Sequence, residues 1–269
     1  MLRVRIRPRV SILCPRCLVW SVLLGFYLTG TAVAETGDNR SYCKSDGRLA
    51  LFLVDITTPY DQTDKDLIVK ATDKILASLA GGEKVIVRTI TDSVTRSEQL
   101  VERCIPVCAA EGLSRLFLCN DGAIRTDRES VYEGIVGSLR QRLSKFEERR
   151  HSDILRTVLL AAQEDAVNGH KLSLYIYSDL IENSEYLPGR KFFSTPVPQL
   201  VTMLQKDKLI PPLKDAEVHI AGVGRGGTKE RRPLTVAEQR KVTEFWNAYF
   251  KLSGANSIDI GQNILEPSR

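Results

Sequence analysis

Leu49 to Tyr60 reads LALFLVDITTPY. Six consecutive apolar residues run into a carboxylate, two threonines and a proline. A run of this kind predicts a strand buried on both faces that ends in an acidic loop. In open α/β sheets, ligands sit in the crevice beyond the carboxyl ends of the strands. Asp55, Thr57 and Thr58 therefore stand where a site can be built.

The flanking sequence supplies the rest of such a sheet. Leu67, Ile68, Ala71, Ile75, Leu76 and Leu79 fall at helical spacing, and Gly81-Gly82 ends that helix. Val85 to Ile90 is a β-branched strand, so the order is strand, helix, strand, with parallel pairing and a right-handed crossover. Leu172 to Tyr177, LSLYIY, is a second strongly apolar strand that ends in acid, Ser178-Asp179, and Val218 to Val223 is the last clear core strand. Helices are predicted over Val131–Phe146, over Ile154–Val167 with Ser152-Asp153 as N-cap, over Pro196–Lys208, and from the capping box Thr235…Glu238 to Phe250. Residues 91–130 are irregular, with Leu113 to Leu118 as the candidate third strand. The expected fold class is α/β: a doubly wound, mostly parallel sheet with helices on both faces and a disulfide-stapled insertion.

The ends of the chain read differently. Residues 1–34 hold Arg3, Arg5, Arg7, Arg9 and Arg16 with no acid, then the apolar run Leu18 to Ala34 closing on Ala32-Val33-Ala34. This pattern predicts a secretory leader cleaved before Glu35; the alternative is an uncleaved membrane anchor. The expected location is periplasmic or secreted, or, with the anchor kept, the inner membrane with the domain in the periplasm. Residues 35–47 form a polar leading segment, 48–255 the domain, and 256–269 a tail or edge strand. Of 38 basic and 33 acidic residues, the five arginines of the leader leave 33 of each behind it. A net charge of zero argues against a nucleic-acid partner. Membrane contact is expected only through the leader if it stays.

Four cysteines lie beyond the leader: Cys43, Cys104, Cys108 and Cys119. An even number in an oxidising compartment predicts two disulfides, and the spacing leaves all three pairings open. Structural zinc is the weaker reading, because paired C-x-x-C knuckles are absent.

Three loops carry hard oxygen donors in order: Asp55-Ile-Thr57-Thr58, Ser152-Asp153 and Ser178-Asp179. Such donors suit Mg²⁺, which takes one or two carboxylates and keeps several waters. The element order, the strand ending DITT, the SDIL helix start and the strand ending YSDLIENS resemble a von Willebrand factor A-type domain. DxTTPYD, CxPxC and SDLIENS together look like a bacterial exported subgroup of these domains. The resemblance implies a divalent cation, Mg or Mn, held by Asp55, Thr57, Ser152 and Asp179, and a protein partner engaged at the sheet's carboxyl edge without catalysis. Pro59 stands where the family has a third hydroxyl; Thr58 and Asp61 are the nearby substitutes.

One enzyme reading competes. A strand ending Asp-x-Thr also fits a phosphohydrolase with Asp55 as nucleophile and Ser178 binding phosphate, for which Lys206, Lys208 or Lys214 would supply the cation. The last core strand offers that chemistry no acidic pair. Gly222, Gly224 and Gly227 match G-x-G-x-x-G, but TKERRP separates them from the next helix, so no nucleotide cofactor is expected. His151, His170 and His219 accompany no nucleophile elbow. A third reading keeps the fold as an interaction scaffold without metal.

Overall fold

In the computed structural model the described residues are 42–44, 47–110, 112–145, 149–165, 171–225 and 233–261. The leader, His170, Gly227 and the tail beyond Gly261 lie outside them.

The apolar run of the opening stretch becomes β1 (Leu49–Asp55), followed by α1 (Gln62–Ser78), β2 (Lys84–Ile90), β3 (Gln99–Cys104), the single turn α2 (Arg115–Leu118) and α3 (Asp121–Ser144). Then come α4 (Ile154–Asp165), β4 (Leu172–Tyr177), α5 (Gly189–Ser194), α6 (Val197–Lys206), β5 (Glu217–Ala221), α7 (Val236–Leu252) and β6 (Ser257–Gly261). They form one six-stranded sheet in the order β3-β2-β1-β4-β5-β6. All neighbours are parallel except β2 and β3. The order reverses at β1, whose two neighbours, β2 and β4, lead away in opposite directions.

Every residue of β1 is buried, because alternate side chains serve two cores. Leu49, Leu51 and Leu53 pack with α4, α5, α6 and α7, where Phe192, Phe245, Trp246, Tyr249 and Phe250 are fully buried. Ala50, Phe52 and Val54 pack with Ile68, Ile75 and Leu76 of α1 and Ile135, Leu139 and Leu143 of α3. These are the helices on both faces that the alternating strands and helices require.

Several elements differ from expectation. The third strand is Gln99–Cys104, an antiparallel edge strand of mixed polarity, whereas Leu113–Leu118 is a 3₁₀ turn followed by α2. Helix α3 starts ten residues before Val131, at Asp121, with Asn120 accepting from the Ala123 amide. The predicted helix over Pro196–Lys208 ends at Lys206 and is preceded by the separate turn α5. The capping box at Thr235 and Glu238 is present as read. Two disulfides close: Cys43–Cys104 ties the leading segment to the end of β3, and Cys108–Cys119 closes the loop before α3.

Candidate functional site

At the carboxyl end of β1 the chain turns back on its own carboxylate. The Thr57 amide and hydroxyl both donate to Asp55 Oδ1, at 2.8 and 2.7 Å. A short acidic side chain at a strand tip makes this local turn readily. Asp61 then accepts from the Asp64 amide at 2.8 Å and caps α1, so it is spent there.

The other oxygen of Asp55 receives the two remaining loops. The Ser178 hydroxyl, at the tip of β4, donates to Asp55 Oδ2 at 2.7 Å, and the Ser152 hydroxyl does so at 3.3 Å. Ser152 is held in place by paired backbone hydrogen bonds with Asn183, at 3.1 and 3.0 Å. Its hydroxyl is therefore no helix cap. The amides of Ile154 and Leu155 instead donate to Glu182 Oε2, at 2.9 and 3.1 Å, so a carboxyl from the β4 loop caps α4. Burial pushes the Glu182 carboxyl up to about 8, against the pull of the Ser184 hydroxyl and the two helix amides.

Asp55, Thr57 and Ser152 thus share one hydrogen-bonded cluster, and Asp179 lies at the neighbouring strand tip. Asp179 Oδ1 accepts from the Ile181 amide at 2.9 Å, its carbonyl accepts from the Gly224 amide at 3.0 Å, and its own amide lies 3.5 Å from Thr58 Oγ1. Gly222 has φ +99°, and a Cβ there would stand 3.2 Å from the Ser178 carbonyl. That close approach is why the turn after β5 is glycine rather than why a nucleotide would bind. Past it, Arg225 forms an ion pair with Asp64 of α1 on the same edge.

Tyr60 reports on the field here. Its hydroxyl is buried, has Thr58 as its polar neighbour, and meets no hydrogen-bond partner in good geometry among the described residues. Burial first, and then the negative charges of Asp55 and Asp179, push its ionisation well above the usual tyrosine range. Both carboxylates therefore act on one point.

The donor set fits a small hard cation. Asp55 is fully buried, and no Lys, Arg or His side chain pairs with it among the described residues. A buried carboxylate needs donors or a cation to offset lost hydration. Among the described residues no three His, Cys, Asp or Glu side chains group as ligands, so an ion would rest on two carboxylates and hydroxyls. Thr58 stands beside Asp179, with its Oγ1 3.5 Å from the Asp179 amide.

The phosphohydrolase residues do not converge. Both oxygens of Asp55 are taken by four donors, which leaves a poor nucleophile. Lys206, the last residue of α6, and Lys208, just beyond it, are exposed to solvent, and Lys214 lies against Gly254 before β5 begins, at the opposite edge of the sheet. His219 stacks on Tyr175 at 5.2 Å between centroids, and His151 is exposed with Nδ1 3.1 Å from the Asn183 carbonyl. Sequence reading passed over Glu182 and Tyr60. The spacing of Ser178, adjacent to Asp179 at a strand tip, was the only signal that it belongs to this cluster.

No protein-family model matches the sequence, and no curated protein matches it. Among solved structures, the von Willebrand A domain of SpRpn10 superposes on 82% of this chain and 90% of its own, with 8% identity and a TM-score of 0.37. The chain resembles a von Willebrand factor A-type domain. The pilus adhesin SpaC from Lactobacillus rhamnosus GG matches over 83% of this chain and 29% of its own, at 12% identity and a TM-score of 0.42. A von Willebrand factor type A protein from Catenulispora acidiphila matches over 78% of this chain and 42% of its own, at 9% identity and a TM-score of 0.27. The chain thus spans less than half of these last two. At such identities no residue's role transfers, and the site rests on its own geometry.

Proposed function

We propose that this chain is an exported protein-interaction domain that engages a partner at the carboxyl edge of its sheet through a divalent cation, Mg or Mn. The observation that carries this reading is that three separate loops deliver hydroxyls to one buried carboxylate, Asp55, which no cationic side chain offsets among the described residues. Asp55, Thr57, Ser152 and Asp179 would hold the ion, with Thr58 completing the hydroxyl set. A bound cation would supply an open coordination position for a partner's carboxylate. The chain's own part is to hold these oxygens ready, by the turn at Thr57, the Ser152–Asn183 bridge and the Leu180 amide donating to Ser178 Oγ at 2.9 Å. Two disulfides support export to an oxidising compartment. A net charge of zero behind the leader supports a protein partner over a nucleic acid.

The four donors already on Asp55 favour one second reading, a scaffold that binds its partner without metal. Thermal melting with MgCl₂ or MnCl₂ separates the two. An ion at about 100 times its Kd adds about 2.7 kcal/mol, which is several degrees for a domain of this size. The wild type should gain that shift, and Thr57→Val and Asp179→Asn should each lose most of it. A midpoint that no cation moves leaves the metal-free scaffold.

A further inference from the structure

Five large apolar side chains are exposed among the described residues, and three of them fall within six positions: Leu113 at 79%, Phe117 at 85% and Leu118 at 75%. They lie in the loop closed by Cys108–Cys119. A disulfide that holds apolar side chains out in water needs an occupant for them.

The place of this loop narrows the choice. Its base is fixed at the amino edge of the sheet, where Cys104 pairs with Lys84, the first residue of β2. The Gly82 amide donates to the Ile105 carbonyl and the Ile105 amide to the Glu83 carbonyl, each at 2.8 Å. Arg128 of α3 donates to the Pro106 carbonyl at 2.8 Å. The leading segment is tied to the same edge. Cys43 is bonded to Cys104, the Lys44 amide donates to the Gly82 carbonyl at 3.0 Å, and the Tyr42 hydroxyl donates to Asp127 at 2.9 Å. Asp127 lies six residues into α3, about 9 Å along its axis from the start at Asp121. Tyr42, to which the preceding chain is joined, is therefore held at the edge that carries the base of the apolar loop. That chain carries the run Leu18 to Ala34, and the eight residues from Glu35 to Tyr42 reach about 28 Å at full extension.

We propose that the stapled loop is a membrane-contact element, whose Leu113, Phe117 and Leu118 enter the interface of the phospholipid bilayer that anchors the N-terminal apolar segment. The proposal rests on the anchor being retained, and is independent of any metal at the opposite edge. The tether supplies the local concentration that three side chains would lack in free solution. The loop between Cys108 and Cys119 carries one acid, Glu111, and one base, Arg115, so its contact is apolar and indifferent to anionic lipid. Helix α3 runs from this edge to Leu143, which lines a small cleft with Ile56, Thr58 and Tyr60. Its 24 residues span about 36 Å, so a domain seated on the loop holds Asp55 and Asp179 away from the membrane.

The test is photo-crosslinking of the full chain in proteoliposomes of phosphatidylcholine, with and without phosphatidylglycerol. p-Benzoylphenylalanine is placed at 113, 117 or 118, or at 236, where Val236 is 75% exposed at the start of α7 on the carboxyl edge. Lipid adducts at 117 and 118 should exceed those at 236 at least tenfold in both lipid mixtures. With the probe at 113, Phe117→Asp together with Leu118→Asp should reduce adducts severalfold while the melting midpoint stays in place. Adducts no greater than at 236, crosslinking to a second copy instead of lipid, or a chain that washes off the vesicles overturns the proposal.

Discussion

The Ser178 hydroxyl donates to Asp55 Oδ2 across 2.7 Å and, through its own oxygen, accepts from the Leu180 amide at 2.9 Å. One side chain thereby locks the tips of two adjacent parallel strands and sets the turn that carries Asp179. Hydrogen bonds to charged groups contribute about 1.5–3 kcal/mol. Ser178→Ala should lose about 2 kcal/mol of stability, read as a lower urea midpoint with the m-value unchanged. A loss under about 0.5 kcal/mol would mean that the two tips are not joined this way.

Asp55→Ala should cost more, because the Thr57 amide and the hydroxyls of Thr57, Ser152 and Ser178 all lose their acceptor inside the fold. Each buried donor left without a partner costs about 1–3 kcal/mol where water cannot reach it. Asp55→Asn keeps one oxygen and should fall between the wild type and Asp55→Ala in urea denaturation. Equal stability of Asp55→Asn and the wild type without added cation would show that the four donors leave part of the buried charge without offset, as an absent ion requires.

The strands that were legible in the sequence are those buried on both faces. LALFLV, VIVRTI and LSLYIY are apolar because two cores meet on them, and all three are strands; VHIAGV is a strand only to Ala221, buried on one face and half-buried on the other, and turns at Gly222. Gln99–Cys104 was not legible, since an edge strand with one face in solvent reads as polar, and its antiparallel pairing with β2 is a long-range property. Leu113–Leu118 misled for the converse reason: an apolar run shows hydrophobicity but not burial. The start of α3 was hidden because Asp121 to Ser130 is largely exposed and carries little apolar period. At the site, adjacency to a strand tip marked Asp55 and Asp179, and adjacency to a helix start marked Ser152. The capping of α4 by Glu182 was beyond reach, because 27 and 28 residues separate Glu182 from the amides it accepts.

Glu182 gives the fold a dependence on pH. In the unfolded chain it ionises near its ordinary 4.5, whereas in the folded chain burial holds the proton until about 8. Between those values the folded state binds more protons than the unfolded one. Its contribution to stability is therefore complete below about 4.5, falls as pH rises, and levels off above about 8. Urea midpoints of the wild type should decline across this window more steeply than those of Glu182→Gln, whose carbonyl can still accept from Ile154 and Leu155. Parallel slopes in the two proteins would place the titration elsewhere.

The two disulfides should not contribute equally. Cys43–Cys104 spans 61 positions and Cys108–Cys119 spans 11. By the loss of loop entropy in the unfolded chain, they contribute about 4 and about 3 kcal/mol respectively. Replacing Cys43 and Cys104 together by Ser should therefore lower the melting midpoint more than replacing Cys108 and Cys119. Peptide mapping without reduction should recover these two linkages and neither alternative pairing.

Trp246 links the aromatic core to the loop of Asp179. Its Nε1 donates to the Leu180 carbonyl at 2.9 Å, and Leu180 sits at φ +59° with its side chain fully buried. A leucine in the left-handed region costs about 1–2 kcal/mol, so its neighbours must hold it there. Trp246→Phe keeps most of the apolar packing against Phe245, Tyr249 and Phe250 but removes one of the two donors to the Leu180 carbonyl, leaving the Glu182 amide at 3.1 Å. The expected loss of stability is about 0.5–1.5 kcal/mol in urea. Because Asp179 immediately precedes Leu180, the same substitution should also weaken any Mn²⁺-induced rise in melting midpoint more than Phe192→Leu does. Phe192 is packed edge-on against Phe245 at 5.1 Å in the same core, but it makes no hydrogen bond to that loop through its side chain. Equal effects of the two substitutions on the Mn²⁺ shift would mean that Trp246 supports the core alone.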